Sequence, residues 1–370
     1  MVLKKLLQLF GVGKKNKKDD KKKVHWIAGA APHSTLNIFA NNSQLDPSSS
    51  GAGTTLSLQK HDPECSSNIS MIKEAHGSEN DDYNSFNQFD VVQHYSDHHY
   101  AKTSPGKATK DWAKTIQNEW KLLQRDLPES IYVRVYEDRI DLLRAAIIGP
   151  AGTPYHDGLF FFDVHFPPGY PQCPPKVHYR SGGLRINPNL YESGKVCHSL
   201  LNTWLGSGSE KWGKSNSTML QVLVSIQGLV LNDKPYFNEP ALFSSKEKHS
   251  LAYNTTAFLL SCKTMLYSLQ NPPKVITEPS FLAKNFETII VCHFHEREQA
   301  ILEACGAYAS GMIVGSLVKD GRTYVRNKCF ARFKKSLDAQ TELLKKELAA
   351  NRFRALELKR HSTDEIVSTS

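Results

Sequence analysis

Residues 187–197 read NPNLYESGKVC, and this stretch decides how the surrounding chain is interpreted. Pro188 fixes its own φ and pushes Asn187 toward extended geometry, so the backbone is held rigid where the stretch begins. Gly194 then permits a reversal that costs more for a residue with a Cβ. The stretch is therefore predicted to fold back and bring the side-chain amide of Asn189 near the sulfur of Cys197.

A side-chain amide beside a cysteine suits acyl transfer. A thiolate holds an acyl group as a thioester, and an amide N–H stabilises the oxyanion that forms when a second nucleophile attacks. The alternative is structural, with Cys197 as a small buried hydrophobic residue and Asn189 as a turn former. These two residues alone leave both interpretations open.

The flanking sequence carries several landmarks in a fixed order. They are GP at 149–150, TPY at 153–155, GLFFFDVHFP at 158–167, YPQCPPKV at 170–177, Trp212 and an apolar run at 220–231. This order resembles the ubiquitin-conjugating enzyme family, in which a His-Pro-Asn triplet stands eight residues before the cysteine that forms the thioester. The resemblance covers about residues 111–269, and it is specific because many separate motifs fall in order.

The resemblance implies roles for five residues of the stretch. Cys197 is the expected thioester nucleophile, and Asn189 is expected to stabilise the oxyanion and to have a positioning role. Asn187, Pro188 and Gly194 are expected to be structural. His198 and Lys195 are candidates to activate the cysteine.

The resemblance also nominates an acidic residue near the incoming lysine. Asp233 matches that position, although a shift of one residue would nominate Asn232 or Lys234 instead. An N-cap role in the loop is an equally good interpretation of Asp233.

The sequence departs from the family pattern at three places. Asn187 stands where most members have His, a form seen in large members, some of which act as fused conjugating enzyme and ligase. Gln172 replaces an apolar residue, and Gly213-Lys214 replaces a Pro-containing turn after Trp212. The last two changes argue against ordinary pairing with RING or HECT ligases.

The same resemblance implies the partners and the cofactors. Ubiquitin, the activating enzyme and a protein substrate are the expected partners, with a separate ligase as an optional one. No bound cofactor is expected, since ATP is consumed upstream by the activating enzyme. Two other classes stay open: a non-catalytic ubiquitin-binding variant of the same fold, and a papain-like thiol hydrolase that pairs Cys197 with a histidine.

Hydrophobic periodicity predicts an α+β fold, and the resemblance implies that it is the ubiquitin-conjugating (UBC) fold. A helix is predicted at 110–127, followed by a four-stranded antiparallel meander at 131–136, 140–148, 160–166 and 176–179. The apolar run at 220–230 is the helix that covers the sheet, and further helices follow at 244–269 and within 281–318.

The composition suggests four regions along the chain. They are a mostly disordered basic and polar region at 1–109, the catalytic domain at 110–272, a helical extension at 273–334, and a charged helix and tail at 335–370. Within the first, the aromatic segment at 86–100 is interpreted as a docking peptide, and its histidines lack the partners of a metal site. The loop at 206–209 is interpreted as a lid or a recognition loop beside the thioester, and the last region as one long solvated helix or a short coiled coil.

Composition and charge limit the expected cellular location of the protein. The 370 residues carry a net charge of +9 and seven cysteines without a Cys-x-x-Cys pair, which favours reduced thiols in the cytoplasm or nucleus. Residues 1–23 hold nine lysines and two aspartates, typical of an import signal, a contact with anionic membranes or a solvated tail rather than a nucleic-acid groove. No signal peptide is expected at the N-terminus.

Overall fold

The computed structural model describes residues 87–106, 109–204, 210–239, 247–271, 286–316 and 328–368. The predictions for the basic tip, for most of the polar N-terminal region and for the loop at 206–209 lie outside these residues. The strands are β1 (Phe89–Val92), β2 (Ile131–Tyr136), β3 (Leu142–Ile148), β4 (Leu159–His165) and β5 (Lys176–Tyr179). The α-helices are α1 (Lys110–Asp126), α2 (Met219–Ser225), α3 (Glu247–Gln270), α4 (Phe286–Ala309) and α5 (Lys328–Ser368).

Strands β2 to β5 form the predicted antiparallel meander within a sheet of five strands in the order β1-β2-β3-β4-β5. Ala145 of β3 lies between Val133 of β2 and Phe162 of β4, which fixes the register. Every residue of β4 is buried, as are all but the last of β3. This explains why the sequence of β4 reads as a nearly continuous apolar run instead of alternating: both faces of the sheet are covered.

The fifth strand corrects the sequence analysis. β1 pairs in parallel with β2, and Phe89 packs against Trp120 with 6.4 Å between the ring centroids. The prediction that the chain is disordered up to residue 109 is therefore wrong for 87–106, and the domain begins well before 110. β1 is a four-residue edge strand in a polar context, too short to show a period of its own.

The segment that follows β1 also packs on the chain's own sheet. Both carboxylate oxygens of Asp97 accept from Arg144 at 3.0 Å, and Nε2 of His98 lies 3.1 Å from the carbonyl of Leu143. The predicted docking peptide thus docks within the same chain.

Each face of the sheet has its own hydrophobic core. On one face α1 and α2 bury Ile116, Leu123 and Leu223 against the strands. Helix α2 begins with a capping box between Thr218 and Gln221 and continues as a π-helical turn at Ile226–Val230. Residues 219–230 therefore provide the covering helix that the apolar run predicts.

The other face is covered by α3, α4 and α5. Phe286 of α4 meets Phe161 of β4 edge to face at 5.5 Å between the ring centroids. Leu337, Leu344 and Leu348 of α5 are buried in the same core. Helix α5 is thus neither a solvated helix nor a separate coiled coil, because its near-heptad stripe packs on the domain, and the boundary predicted at 334/335 falls inside it. Among the described helices, none is long and apolar enough to cross a membrane.

Candidate active site

The turn at 187–190 is held by the side chain of Asn187, which is fully buried. Its Nδ2 donates to the Tyr155 hydroxyl at 2.8 Å and to the carbonyl of Val230 at 2.7 Å. Its Oδ1 accepts from the backbone N–H of Asn189 at 2.8 Å and from Nδ2 of Asn238 at 3.4 Å. The residue uses its donor and its acceptor together, which ties the turn to the β3–β4 loop and to the end of the covering helix.

The reversal at Gly194 brings the two ends of the stretch together. Gly194 has φ +83°, and a Cβ at this position would stand 2.0 Å from Cε1 of the His178 ring. Isolated β-bridges join His178 to Lys195 and Leu190 to Val196. A glycine is therefore required on both conformational and steric grounds, and the reversal sets residue 189 beside residue 197.

Asn189 and Cys197 form a reciprocal pair of hydrogen bonds. The backbone N–H of Cys197 donates to the carbonyl of Asn189 at 2.9 Å, and Nδ2 of Asn189 donates to the carbonyl of Cys197 at 3.0 Å. The sequence analysis expected the amide beside the sulfur; the structure places it on the backbone of the same cysteine. Oδ1 of Asn189 is buried and finds no hydrogen-bond partner in the part of the chain that the structure describes.

Tyr191 is a neighbour of the thiol that the sequence analysis did not single out. Burial and, after it, the electrostatic effect of the Cys197 thiol raise the pKa of Tyr191. The guanidinium of Arg185 stands 4.2 Å from the centre of the Tyr191 ring, and Nζ of Lys195 stands 5.6 Å from it. Only 2% of the Cys197 surface is exposed, so neighbouring residues cover most of this cysteine.

His198 does not activate the cysteine. Its Nδ1 accepts from the backbone N–H of Leu200 at 3.1 Å, which caps the short 3₁₀ helix Ser199–Leu201. Burial lowers the pKa of His198 to about 4, so the ring is neutral at pH 7 and supplies no positive charge. A ring turned toward its own backbone is also not the paired base that a papain-like hydrolase needs.

The loop after the covering helix presents Asp233 at the surface. The carbonyl of Asp233 accepts from Nδ2 of Asn254 on α3 at 2.8 Å, and its side chain is exposed. Asn232 and Lys234 are engaged elsewhere: Oδ1 of Asn232 accepts from the N–H of Lys234, and the Lys234 ammonium pairs with Glu247 at 2.8 Å. The short 3₁₀ helix Pro235–Asn238 has no side-chain cap among the described residues, so Asp233 does not act as its N-cap.

The Pro-rich arm is anchored by Glu119 of α1. One oxygen of Glu119 accepts from the Tyr170 hydroxyl at 2.6 Å, and the other accepts from the N–H of Met219 at 3.0 Å. Nε1 of Trp212 donates to the carbonyl of Pro171 at 2.8 Å. The arm and the segment around Trp212 are therefore fixed to the start of the covering helix.

Within the described residues, no three His, Cys, Asp or Glu side chains form a group that could hold a metal ion. The histidines of the 94–99 segment have other roles, since the ring of His99 stacks on that of His178 at 3.5 Å with 5° between the planes. Likewise, Nε2 of His293 lies 2.9 Å from the carbonyl of Asp157.

An antiparallel meander with a covering helix, a Pro-rich arm and an Asn-Pro-Asn turn hydrogen-bonded to one cysteine is the architecture of a ubiquitin-conjugating domain. Comparison with known proteins agrees: the family model described as "Ubiquitin-conjugating enzyme" matches residues 115–260. The chain belongs to the ubiquitin-conjugating enzyme family, and its α+β fold is the UBC fold.

The relatives include proteins from plants and mammals. A "Probable ubiquitin-conjugating enzyme E2 25" of Arabidopsis thaliana is 56% identical over 241 residues, covering 63% of this chain and 38% of the relative. A "Putative ubiquitin-conjugating enzyme E2 38" of the same plant is 53% identical over 245 residues, covering 64% of this chain and 72% of the relative.

The human "Dual E2 ubiquitin-conjugating enzyme/E3 ubiquitin-protein ligase BIRC6" is 39% identical over 206 residues, covering 52% of this chain and 4% of that protein. The chain spans less than half the length of several of the relatives that it matches.

Proposed function

We propose that Cys197 accepts the C-terminal acyl group of ubiquitin from the thioester on an activating enzyme and passes it to a lysine of a protein substrate. The observation that carries this proposal is the reciprocal hydrogen bonding of Asn189 and Cys197 on a turn fixed by Asn187. It lies inside the segment that matches the family. The alternative of a non-catalytic ubiquitin-binding variant finds no support in the comparisons.

The proposed reaction has two acyl-transfer steps. In charging, the Cys197 thiolate attacks the thioester carbonyl, and the thiolate of the activating enzyme leaves. In discharge, a neutral lysine amine attacks the new thioester, the oxyanion collapses, the Cys197 thiolate leaves, and the nitrogen loses a proton. ATP is consumed upstream by the activating enzyme.

Asn189 assists the second step in this proposal. One N–H of its amide donates to the carbonyl of Cys197, and this bond fixes the amide on the residue whose sulfur reacts. The amide is thus set in place before the tetrahedral intermediate forms, which is where a fixed donor stabilises an oxyanion most. Neutral His198 contributes no charge, so catalysis rests on positioning rather than on a strongly activated nucleophile.

Asp233 is proposed to lie near the incoming lysine. Its exposed carboxylate belongs to a loop that reaches the active-site turn through Asn238, whose Nδ2 approaches Oδ1 of Asn187 and donates to the carbonyl of Val230 at 3.1 Å.

The described cysteines are free thiols, which supports a location in the cytoplasm or nucleus. Contact of the basic tip with membranes is a further proposal that rests on its charge alone.

The test is a charging gel under non-reducing conditions with the activating enzyme, ATP and ubiquitin. Wild type should form an adduct that thiols remove, Cys197→Ser a thiol-resistant ester or no adduct, and the control Cys173→Ser a normal thioester. A wild-type chain that forms no adduct would instead identify a non-catalytic binding variant.

A second experiment separates the two steps. Asn189→Ala should charge at nearly the wild-type rate and discharge to free lysine about 10²-fold more slowly, as expected when one oxyanion donor is lost. An equal loss of both steps would show that Asn189 serves only the backbone of the loop. Discharge to a substrate protein without any added ligase tests whether the chain acts alone, as the name of the human relative states for that protein.

A further inference from the structure

The β3–β4 loop contains a residue in a conformation that needs outside support. Asp157 has φ +60°, in the left-handed region that residues other than glycine adopt at a cost. Such a conformation persists only where the surroundings impose it. At Asp157 these surroundings come from α4, the first helix after residue 272, more than 130 residues away in sequence.

Helix α4 holds Asp157 at two points. Nε2 of His293 lies 2.9 Å from the carbonyl of Asp157. One turn further along the helix, Arg297 donates to Oδ1 of the Asp157 carboxylate from Nε at 2.7 Å and from Nη2 at 2.5 Å. Residues four apart lie on the same face of a helix, so one face of α4 fixes both the backbone and the side chain of Asp157.

The end of α4 holds the preceding residue. The Tyr308 hydroxyl accepts from the N–H of Gly315 at 3.1 Å and lies 2.9 Å from Nε2 of His156. Oδ2 of Asp157 is a carboxylate oxygen that only accepts, so Nδ1 of His156, 2.7 Å away, carries a proton. In the neutral ring Nε2 then accepts from the Tyr308 hydroxyl. Tyr308, His156, Asp157 and Arg297 thus form one continuous chain of hydrogen bonds.

His156, in the middle of this chain, directly follows the residue that contacts the active-site turn. Tyr155, the residue before His156, is fully buried, and its hydroxyl donates to the carbonyl of Ile186 at 3.1 Å. The same hydroxyl accepts from Nδ2 of Asn187 at 2.8 Å, and Asn187 in turn holds the N–H of Asn189. The position of the Tyr155 ring depends on the path of residues 156 and 157, because they form the turn that α4 fixes.

We propose that α4 is a positioning element of the thioester site, with Arg297 and Tyr308 as positioning residues that act through the β3–β4 loop and Tyr155 on the Asn-Pro-Asn turn. The inference rests on the proposed function of Cys197. It gives the helical extension a role in the reaction in addition to covering the sheet.

The test measures discharge of the ubiquitin thioester to free lysine by the full-length chain, as a function of lysine concentration. Arg297→Ala should lower the maximal rate by about tenfold and Tyr308→Phe by about threefold, with the half-saturating lysine concentration unchanged, because a displaced turn misaligns the reacting groups without altering how lysine binds. Arg352→Ala is the matched control, since Arg352 also forms an ion pair with α4, to Glu298 at 3.1 Å. Among the described residues it has no hydrogen bond or ion pair with the β3–β4 loop.

A double-mutant cycle tests the route. Tyr155→Phe removes the hydroxyl that joins the loop to Asn187 and preserves the ring. In that background Arg297→Ala should slow discharge by less than about twofold, because residues in one network are not additive. If Tyr155→Phe and Arg297→Ala destabilise the protein independently, their effects on the discharge rate should multiply instead.

Rescue supplies a second measurement that does not need Tyr155→Phe. Arg297→Lys keeps a cation beside Asp157 and should recover most of the rate, whereas Arg297→Gln should not. All variants are assayed at a temperature at which circular dichroism shows them folded.

Three results would overturn the inference: an effect of Arg352→Ala equal to that of Arg297→Ala, multiplicative rates in the cycle, or a change confined to the half-saturating concentration. A wild-type chain that forms no thioester would overturn the proposed function itself, which is a different outcome.

Discussion

Substituting Gly194 by alanine separates two reasons for a glycine in the active-site stretch. Gly194 and Gly183 both have positive φ, +83° and +80°. An added Cβ meets nothing within 4 Å at Gly183, whereas at Gly194 it would stand 2.0 Å from the ring of His178. The pair isolates the steric part of the cost, because the conformational part is shared.

The expected costs follow from that difference. Gly183→Ala should lower the free energy of unfolding by about 1–2 kcal/mol, the price of a left-handed residue with a side chain. Gly194→Ala should cost about 2–5 kcal/mol, since the His178 ring must also leave its position and its stack on His99. In a His178→Ala background the extra cost should disappear, leaving only the conformational part.

Urea denaturation followed by tryptophan fluorescence measures all the variants in one buffer. The charging gel on the same samples should show that Gly194→Ala also slows thioester formation, because the reversal sets Asn189 beside Cys197. If Gly194→Ala and Gly183→Ala were equally stable, the contact with His178 would not be what requires a glycine at 194.

Two further predictions concern stability. The free energy of unfolding should fall as the pH is lowered from about 6.5 to about 4, because burial lowers the pKa of His98 and of His198 to about 4 and only the unfolded chain binds those protons in this range. Each histidine contributes about 3 kcal/mol to the free energy of unfolding above pH 6.5. In urea titrations of His198→Asn, the free energy of unfolding should therefore change less steeply with pH than in the wild type. An unchanged pH dependence would contradict the assignment. Glu119→Ala should lower the free energy of unfolding by about 3 kcal/mol, because the Tyr170 hydroxyl and the Met219 N–H lose their acceptor. Glu119→Gln should recover about half of that loss. A loss below about 1 kcal/mol for Glu119→Ala would refute the anchoring role.

The sequence predicts those parts of the fold that leave a local pattern. Helix α1 shows a period of 3.6, and the meander shows apolar runs bounded by turns, so each element is visible without its neighbours. Strand β1 is not visible in this way, because its four residues at the sheet edge are ordered by pairing with β2, about 44 residues further along the chain. The stripe at 337–348 is visible in the sequence, but the surface on which it packs is not.

The active site follows the same rule. The rigid turn, the glycine reversal and the spacing of Asn189 and Cys197 lie within eleven consecutive residues, and simple chain geometry brings them together. The ion pair of Arg297 with Asp157 joins residues 140 apart, so no window of sequence contains it. The only local sign is the polar pair at 156–157 directly after the Thr-Pro-Tyr landmark.

Helix α4 meets the rest of the domain at two sets of contacts with different physical characters. Phe286 is buried against Phe161, and the guanidinium of Arg134 lies 5.6 Å from the centre of its ring; such contacts contribute mainly to stability. Arg297 is about half exposed and contributes little burial, yet it holds the left-handed Asp157, two residues after Tyr155. A truncation that removes α4 loses both at once, so a loss of activity on truncation cannot distinguish unfolding from misplacement of the turn. Only substitutions of the polar contacts, with the apolar contacts intact, separate the two roles.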